Sequence, residues 1–497
     1  MINPGDGQPR SQFPNAMELQ ARFNQGLTLH QQGKLADAER IYTEVLQWQP
    51  NHFNALHLLG LIAAQTQRME RAVELMQKAV QLNGKVAVAH NNLGNALKAL
   101  NRTDDALASF DKAIALNPQY AEAYSNRGNA LIALKRPADA LASYDRAIAI
   151  NPRYAEAHFN RGFVLQDLLR PQDALASHEA VIALKPDFAQ AYWYRSMCLL
   201  QMGRFEEGWR QFEWRKTCAK EDIIRSYSQP LWLGKEDIAG KTLFVWWEYG
   251  LGDTIQFCRY VKLLEARGAK VILSVQRPLS GLLKQISPTV EIIAPTETPE
   301  NFDYHCPLMS LPLAFGTALE TIPAPQKYLE ADKALRVAWS ARLPKKTRPR
   351  IGVVWSGSTV HGVQNRSIPM KQLGPIFDAD ADWVCLQKEA EHQDVAILRQ
   401  ENVSFFGDDI GDFNKTAALL DLMDLVITVD TVTAHLAGAM GKPVWVLLPY
   451  NPDWRWLLNR DDSPWYPSVR LLRQQHFGDW PGVIDRVRCE LRSLEPS

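Results

Sequence analysis

The chain has 497 residues, which is enough for two or three domains that each bury a core. Lysine plus arginine and aspartate plus glutamate number 55 each, so the overall charge predicts neither nucleic acid nor an anionic membrane as a partner. The six cysteines are far apart and include no C-x-x-C pair, as in a cytosolic protein with reduced thiols and no cysteine metal site. The first residues lack the apolar core of a signal peptide, and no run of about 18 apolar residues occurs. We therefore predict a cytoplasmic protein without a transmembrane segment.

After an N-terminal segment that we expect to be flexible (residues 1–14), residues 15–218 repeat with a period of 34. One phase of the repeat holds glycine, at Gly26, Gly60, Gly94, Gly128 and Gly162. A second phase holds alanine, at Ala38, Ala72, Ala106, Ala140 and Ala174, and a third holds a large residue, at Tyr42, Met76, Phe110, Tyr144, His178 and Phe212. Small residues let two antiparallel helices pack closely, the large residue is expected to fill the gap to the next copy, and proline at the joins is expected to start the next helix. The pattern resembles about six tetratricopeptide repeats, which stack into an all-α solenoid.

A row of asparagines lies two residues before the repeat glycine, at Asn24, Asn92, Asn126 and Asn160. Leu58 and Tyr194 interrupt the row in the second and sixth copies. A carboxamide both donates and accepts, so such a row can bind the backbone of an extended protein or peptide acceptor. The alternative is that asparagine is common at this position and is simply solvated.

Residues 219–240 are interpreted as a linker, and residues 241–342 as a first Rossmann-like half that begins with a strand at 241–247. The loop after that strand, G-L-G-D at 250–253, lacks the third glycine of a dinucleotide fingerprint, and the chain has no phosphate-binding P-loop motif. Asp253 has two interpretations. It is either a helix N-cap or a base exposed by Gly250 and Gly252 at a strand end.

Residues 343–497 form a second α/β run, with predicted strands at 351–357, 383–388, 403–406, 425–429 and 444–448. Asp430 and Thr431 follow the buried strand 425–429 and precede a short helix of small residues predicted at 434–440. This is the place where open parallel sheets bind ligands and where a helix start offers N–H groups to a phosphate. An N-cap on an ordinary crossover helix is the alternative.

Two Rossmann-like halves joined by a short link are the architecture of GT-B glycosyltransferases. Five short motifs occur in the order found in bacterial heptosyltransferases: G-L-G-D at 250–253, W-S-G-S at 355–358, N-R-S-I-P at 365–369, L-Q-K-E at 386–389 and D-T-V-T-A-H at 430–435. Residues 240–475 therefore resemble family 9 glycosyltransferases. The resemblance implies an inverting, metal-independent transfer from a nucleotide-sugar, with no other cofactor.

Site residues follow from the same resemblance. It implies Asp253 as general base, with Gly250, Gly252 and Gly357 in supporting loops. It implies that the donor is held by Arg366, Lys388, Glu389, Asp430, Thr431 and His435. The chain departs from the family by carrying Val432 where glycine is usual after D-T, and by carrying repeats. Repeats fused to a GT-B domain also resemble the O-linked N-acetylglucosamine transferases, which glycosylate proteins.

The sequence thus predicts a glycosyltransferase that acts on a protein held by the solenoid. Two alternatives stay open. One is a glycan or lipid-linked acceptor, with the repeats used for complex assembly. The other is a non-catalytic repeat scaffold with a degenerate GT-B domain.

Overall fold

A computed structural model describes residues 15–218, 225–357 and 366–493. The predicted flexible segment 1–14, the first part of the linker (219–224) and the motif residues Ser358 and Asn365 lie outside the described residues. Two compact units are present. The first runs to Leu168 and includes Ala183–Pro186, and the second comprises Leu169–Ile182 and the chain from Asp187 onward.

The repeat region is helical throughout its described length, and the helices alternate as the 34-residue period predicts. They are α1 (Ala16–Gln31), α2 (Leu35–Trp48), α3 (Phe53–Gln65), α4 (Met69–Leu82), α5 (Ala87–Ala99), α6 (Thr103–Leu116), α7 (Ala121–Ala133), α8 (Pro137–Ile150), α9 (Ala155–Asp167), α10 (Pro171–Leu184), α11 (Ala189–Gln201), α12 (Phe205–Phe212) and a short α13 (Arg215–Cys218).

The repeat glycines allow the two helices of a pair to approach closely. An ideal Cβ placed on Gly128 of α7 would lie 2.5 Å from Cε1 of Tyr144 in α8, so no larger side chain fits there without movement. The same contact joins Gly94 to Phe110. The large residue thus packs on the glycine of its own helix pair, and Tyr144 also shares a core cluster with Val164 of the next copy, as the repeat pattern predicts. A correction concerns the joins, since Pro118 lies ahead of α7, which begins at Ala121.

The second unit continues into an α/β region with two parallel sheets, whose strand orders are β3-β2-β1-β4 and β6-β5-β7-β8-β9. The strands are β1 (Thr242–Trp246), β2 (Lys270–Ser274), β3 (Glu291–Ile293), β4 (Tyr304–Pro307), β5 (Arg350–Val354), β6 (Asp382–Cys385), β7 (Leu425–Val429), β8 (Val444–Leu448) and β9 (Val469–Arg473). The helices are α14 (Leu251–Phe257), α15 (Val261–Ala266), α16 (Arg277–Leu283), α17 (Leu311–Ala314), α18 (Lys333–Arg342), α19 (Met370–Leu373), α20 (His392–Gln400), α21 (Phe413–Asp421), α22 (Val432–Ala439) and α23 (Trp480–Ser493).

The central strands of the second sheet are buried along their whole length, which explains why their sequences are continuously apolar. The predicted strand at 403–406 is wrong, because only an isolated bridge between Val384 and Ser404 forms there. The helix predicted at 434–440 begins earlier, at Val432, and Thr431 is its N-cap. Among the described residues, none of the helices has the length and apolar character needed to cross a bilayer.

Candidate functional site

Two short helices meet at the carboxyl ends of central strands in the second unit. Helix α14 follows β1, and helix α22 follows β7 directly. Their contact requires a glycine, since an ideal Cβ on Gly252 of α14 would lie 2.7 Å from Cδ2 of His435 in α22. The two sheets therefore bring their strand-end loops to one place, where open parallel sheets bind ligands.

Asp253 lies in the first turn of α14, where it contacts both backbone and a guanidinium. Its Oδ2 accepts the backbone N–H of Gly250 at 2.8 Å. Gly250 is the N-cap, so the interpretation of Asp253 as the N-cap is wrong, and Asp253 instead reaches back to the cap from the third helical position. Its Oδ1 forms an ion pair with Nη2 of Arg455.

Arg455 joins the two strand-end loops, and it is not among the site residues predicted from the sequence. It lies in the short 3-10 helix Trp454–Trp456, in the loop after β8. Besides Asp253, its guanidinium donates to Asp453 Oδ1 at 2.8 Å and to Gln256 Oε1 at 2.8 Å. Only 10% of the side chain is exposed, so this charge depends on its two carboxylate partners. The signal for Arg455 in the sequence is the run D-W-R-W at 453–456, directly after the last central strand.

Asp430 follows β7 and carries a perturbed carboxyl group. Burial and the nearby negative charge of Asp453 raise the pKa of Asp430 to about 6, against the opposing charges of Arg366 and Arg455. Its Oδ1 lies 3.9 Å from Nε2 of His435, and its side chain is 16% exposed. The carboxyl group can thus hold a proton near neutral pH, at a position that still opens to solvent.

His435 is held in place from two sides. Its Nδ1 lies 2.9 Å from the hydroxyl of Tyr466, and its ring stacks on Trp456 with centroids 5.5 Å apart. Burial and the surrounding arginine charges move the pKa of His435 well below its usual range, so the imidazole is neutral. When the Tyr466 hydroxyl donates to Nδ1, the hydrogen of the neutral ring is on Nε2. Nε2 then points this hydrogen toward Asp430, whose carboxyl oxygen accepts it.

Arg259 places a second buried positive charge near His435. Its guanidinium donates to the carbonyl oxygens of Gln256 (2.7 Å) and Trp465 (2.6 Å) and to the hydroxyl of Tyr328 (2.9 Å). Among the described residues no carboxylate lies within ion-pair distance of it. Because its charge is bound only to neutral oxygens, Arg259 adds positive potential to the site, and this charge contributes to the low pKa of His435.

The start of α22 offers backbone donors. Thr431 is its N-cap, with extended φ and ψ, but its side chain does not cap the helix. The Thr431 hydroxyl instead lies 3.1 Å from the hydroxyl of Thr428. The first N–H groups of this eight-residue helix are thus not satisfied by the N-cap side chain, an arrangement that favours an anion.

The remaining predicted donor residues divide into two groups. Arg366 packs on Gly357, where an ideal Cβ would lie 2.7 Å from the arginine Nε, and its charge acts on both Asp430 and His435. Lys388 and Glu389 follow β6 with exposed side chains. In the described chain, no hydrogen bond joins the side chains of Lys388 and Glu389 to Asp430 or His435. The structure therefore brings together all predicted donor residues except these two.

The asparagine row of the first unit takes part in contacts between repeats. Nδ2 of Asn92 lies 3.0 Å from Nε2 of His57, and Nδ2 of Asn126 donates to Oδ1 of Asn91 at 3.0 Å. Asn160 donates to Asn129 at 3.1 Å in the same way. Asn24, in the first copy, accepts from Gln20 on its own helix at 2.9 Å. Each later asparagine thus bonds to the repeat before it.

A cavity of about 240 Å³ lies beside the last of these asparagines. Its lining includes Asn160, the half-buried side chain of Lys98 and the exposed ring of Phe163. The cavity thus combines a carboxamide, an apolar ring and a cationic group.

Comparison with known proteins identifies the repeats. Residues 17–87, 91–155 and 159–208 match the tetratricopeptide repeat family. The chain is 29% identical over 325 residues to Protein FlbA of Caulobacter vibrioides, a match that covers 60% of this chain and 54% of FlbA. It is 33% identical over 75 residues to a UDP-N-acetylglucosamine--peptide N-acetylglucosaminyltransferase of Caenorhabditis elegans, covering 15% of this chain and 6% of that enzyme. The chain thus spans about half the length of FlbA and a small part of the second relative.

Solved structures also resemble part of the chain. The match to MamA covers 33% of this chain and 96% of the MamA chain, with 25% identity and a TM-score of 0.32. YrrB, described as a TPR protein with an unusual peptide-binding site, covers 37% of this chain and 94% of its own, with 20% identity and a TM-score of 0.33. From the family match, the N-terminal part of the chain is a tetratricopeptide-repeat solenoid, and such repeats are suited to peptide or protein partners.

Proposed function

We propose that the α/β region is a GT-B glycosyltransferase that transfers a sugar, with inversion, from a nucleotide-sugar to a polypeptide held by the repeats. The observation that carries the proposal is the meeting of α14 and α22, which places Asp253 and His435 beside Arg455. Three carboxyl groups (Asp253, Asp430, Asp453) are matched there by three guanidinium groups (Arg259, Arg366, Arg455). With Asp430 protonated, the site gains net positive charge suited to a diphosphate.

The proposed reaction is a displacement at the anomeric carbon. A hydroxyl oxygen of the acceptor forms the new bond to that carbon while Asp253 takes the hydroxyl proton, and the bond from the carbon to the diphosphate oxygen breaks with its electron pair on the diphosphate. Negative charge on the leaving group is stabilised by the N–H groups at the start of α22, by the Nε2 hydrogen of His435 and by Arg366. No metal ion is needed for this scheme.

The ion pair between Arg455 and Asp253 sets a condition on the mechanism. A carboxylate that is paired with a guanidinium is a weak base, because the pair stabilises its charged form. Arg455 must therefore leave Asp253 before the proton is transferred. A diphosphate offers the guanidinium a bidentate partner of higher charge, so donor binding is expected to draw Arg455 away and release the base.

The solenoid supplies the acceptor side of the proposal. The cavity beside Asn160 contains a carboxamide, an exposed aromatic ring and a cation, which can bind the backbone, an apolar side chain and a carboxylate of a polypeptide. The second candidate is a scaffold, which the tetratricopeptide repeats by themselves support because such repeats bind peptides or proteins. A scaffold of this kind would bind a partner without binding a nucleotide.

Calorimetric titration with ADP, GDP, UDP, CDP and dTDP, without added metal, tests the proposal. We expect saturable binding of one diphosphate and a large loss of affinity in Arg366→Ala, which removes a positive charge from the site. The exposed Lys388→Ala is the matched control, with a small expected effect. If none of the five nucleotides binds, the transferase proposal is wrong and the scaffold is favoured.

A further inference from the structure

The last helices of the repeat region, α11 to α13, belong to the second unit and pack on both loops of the candidate site. The ring of Trp209 in α12 lies edge-on to Trp454, with centroids 5.2 Å apart, and to Phe257, with centroids 6.5 Å apart. Trp454 directly precedes Arg455, and Phe257 is the last residue of α14, the helix that carries Asp253. The end of the repeat region thus contacts the elements that carry both members of the ion pair in the site.

A buried ion pair joins the last repeat helix to the loop after β1. The Arg215 side chain of α13 has no exposed surface, and its Nη2 donates to Glu248 Oε2 at 2.8 Å and to Ser310 Oγ at 2.9 Å. The side chain of Glu248 is 2% exposed, and the same oxygen accepts the backbone N–H of Met309 at 3.3 Å. A buried pair gives little stability over an apolar pair of the same volume, so its directional hydrogen bonds point to a role in fixing position.

Glu248 stands at the start of a strained turn. Tyr249, the next residue, has φ 55°, in the left-handed region that a residue with a bulky side chain rarely adopts. Backbone of this kind persists only where the surrounding contacts hold it. The ion pair holds the turn at Glu248. From the other side, Nε2 of Gln276 donates to the carbonyl oxygens of Tyr249 at 3.4 Å and of Gly250 at 3.3 Å.

The strained turn sets the position of the Asp253 carboxylate. Gly250, which ends the turn, is the N-cap of α14, and its backbone N–H donates to Asp253 Oδ2 at 2.8 Å. A return of Tyr249 to an ordinary φ would move this N–H, and with it the hydrogen bond that orients the carboxylate. The contacts of Glu248 are therefore connected to the carboxylate through the backbone of a single short loop.

We propose that Arg215 and Glu248 are positioning residues for Asp253, because their ion pair holds the strained turn and the turn holds the carboxylate. The inference rests on the proposed function only in taking Asp253 as the base. It makes the sixth repeat a component of the site, and not a copy that could be exchanged for one of the others.

Hydrogen-exchange mass spectrometry on the full chain tests whether the pair holds the turn. Glu248→Gln keeps an acceptor for Arg215 but removes the charge of the pair. Arg215→Lys keeps the charge but lacks the fork that reaches Glu248 and Ser310 together. In both variants we expect roughly tenfold faster exchange in the peptide 249–257, with exchange in α22 unchanged. Glu206→Gln, which breaks an exposed ion pair with Arg210 in α12, is the matched control and should change neither peptide.

Hydrolysis of the matching nucleotide-sugar, with water as the acceptor, tests whether the pair positions the base. We expect kcat for release of the diphosphate to fall about tenfold to a hundredfold in both variants, because a displaced base no longer meets the attacking oxygen. The Kd of the diphosphate is expected not to rise, because a loosened Asp253 competes less for Arg455.

The outcomes separate the two proposals. Exchange in the peptide 249–257 at the wild-type rate in both variants overturns the inference. Faster exchange spread over the whole second unit also overturns it, since this identifies a general stabilising contact, and so does a kcat equal to that of Glu206→Gln. If the wild type binds none of the nucleoside diphosphates, the transferase proposal fails, and the exchange comparison alone decides whether the pair holds the turn.

Discussion

Replacing Asp253 with asparagine is expected to abolish sugar transfer and, at the same time, to tighten the binding of the nucleoside diphosphate. Transfer is lost because asparagine cannot accept the proton of the acceptor hydroxyl. Binding is expected to tighten because, under the proposed mechanism, Asp253 and the diphosphate compete for Arg455, and the substitution removes the Asp253 carboxylate from that competition. The amide oxygen of asparagine can still accept the N–H of Gly250, so the start of α14 is preserved.

The expected gain follows from the burial of the pair. The Arg455 side chain is 10% exposed and that of Asp253 is 18% exposed, so solvent screens their attraction only partly. A hydrogen bond between charged groups contributes about 1.5–3 kcal/mol, and Arg455 keeps its contact with Asp453 in either state. We expect a net gain of about 1–2 kcal/mol, which is roughly a five- to thirtyfold decrease in Kd.

Calorimetry on the wild type and on Asp253→Asn measures this change directly, and a transfer assay with the matching nucleotide-sugar measures the loss of activity. Asp462→Asn is the matched control, since its ion pair with Arg460 is solvent-exposed at the carboxylate, which is 70% accessible. Unchanged or weaker diphosphate binding in Asp253→Asn would refute the exchange of Arg455 between carboxylate and ligand. Retained transfer would remove Asp253 as the base.

Three further predictions concern other parts of the molecule. Diphosphate affinity is expected to fall as pH rises through about 6, where Asp430 loses the proton that its raised pKa retains, and titrations of Asp430→Asn between pH 5 and 8 should show a flatter profile. His435→Ala is expected to weaken diphosphate binding by about 1–2 kcal/mol through loss of the Nε2 donor, whereas Tyr466→Phe should weaken it less, so equal affinities of the His435→Ala protein and the wild type would contradict the assignment. Gly128→Ala is expected to destabilise the first unit by about 1–3 kcal/mol, because the new methyl group meets the Tyr144 ring, and denaturant unfolding that shows no loss would contradict the packing argument.

The sequence predicted best what depends on local pattern. The 34-residue period located the repeat helices, and the continuous apolar runs located β7 and β8 within a residue because both strands are buried on two faces. The sequence also located the loops that carry Asp253 and Asp430, because each loop begins where a continuous apolar run ends. It missed Arg455, whose pairing with Asp253 joins residues about 200 positions apart and follows only from the packing of α14 on α22.

The same limit explains the errors. The segment 403–406 has the composition of a strand but pairs only through Ser404, because pairing depends on the neighbouring backbone rather than on composition. Lys388 and Glu389 matched a motif, yet their position relative to Asp430 depends on how the loop after β6 folds. GT-B architecture and the roles of the site residues stay predictions that the nucleotide titration tests.

The asparagine contacts of the solenoid bear on how such a chain changes its length during evolution. Asn92 bonds to a residue 35 positions earlier, and Asn126 does the same. This span is close to the length of one repeat. Duplication or loss of a whole 34-residue copy therefore places a residue from the same repeat position beside each asparagine. An insertion of any other length places an unrelated side chain beside the carboxamide. The contacts between repeats thus permit the solenoid to grow by whole copies through gene duplication, while the α/β region downstream is unaltered in sequence.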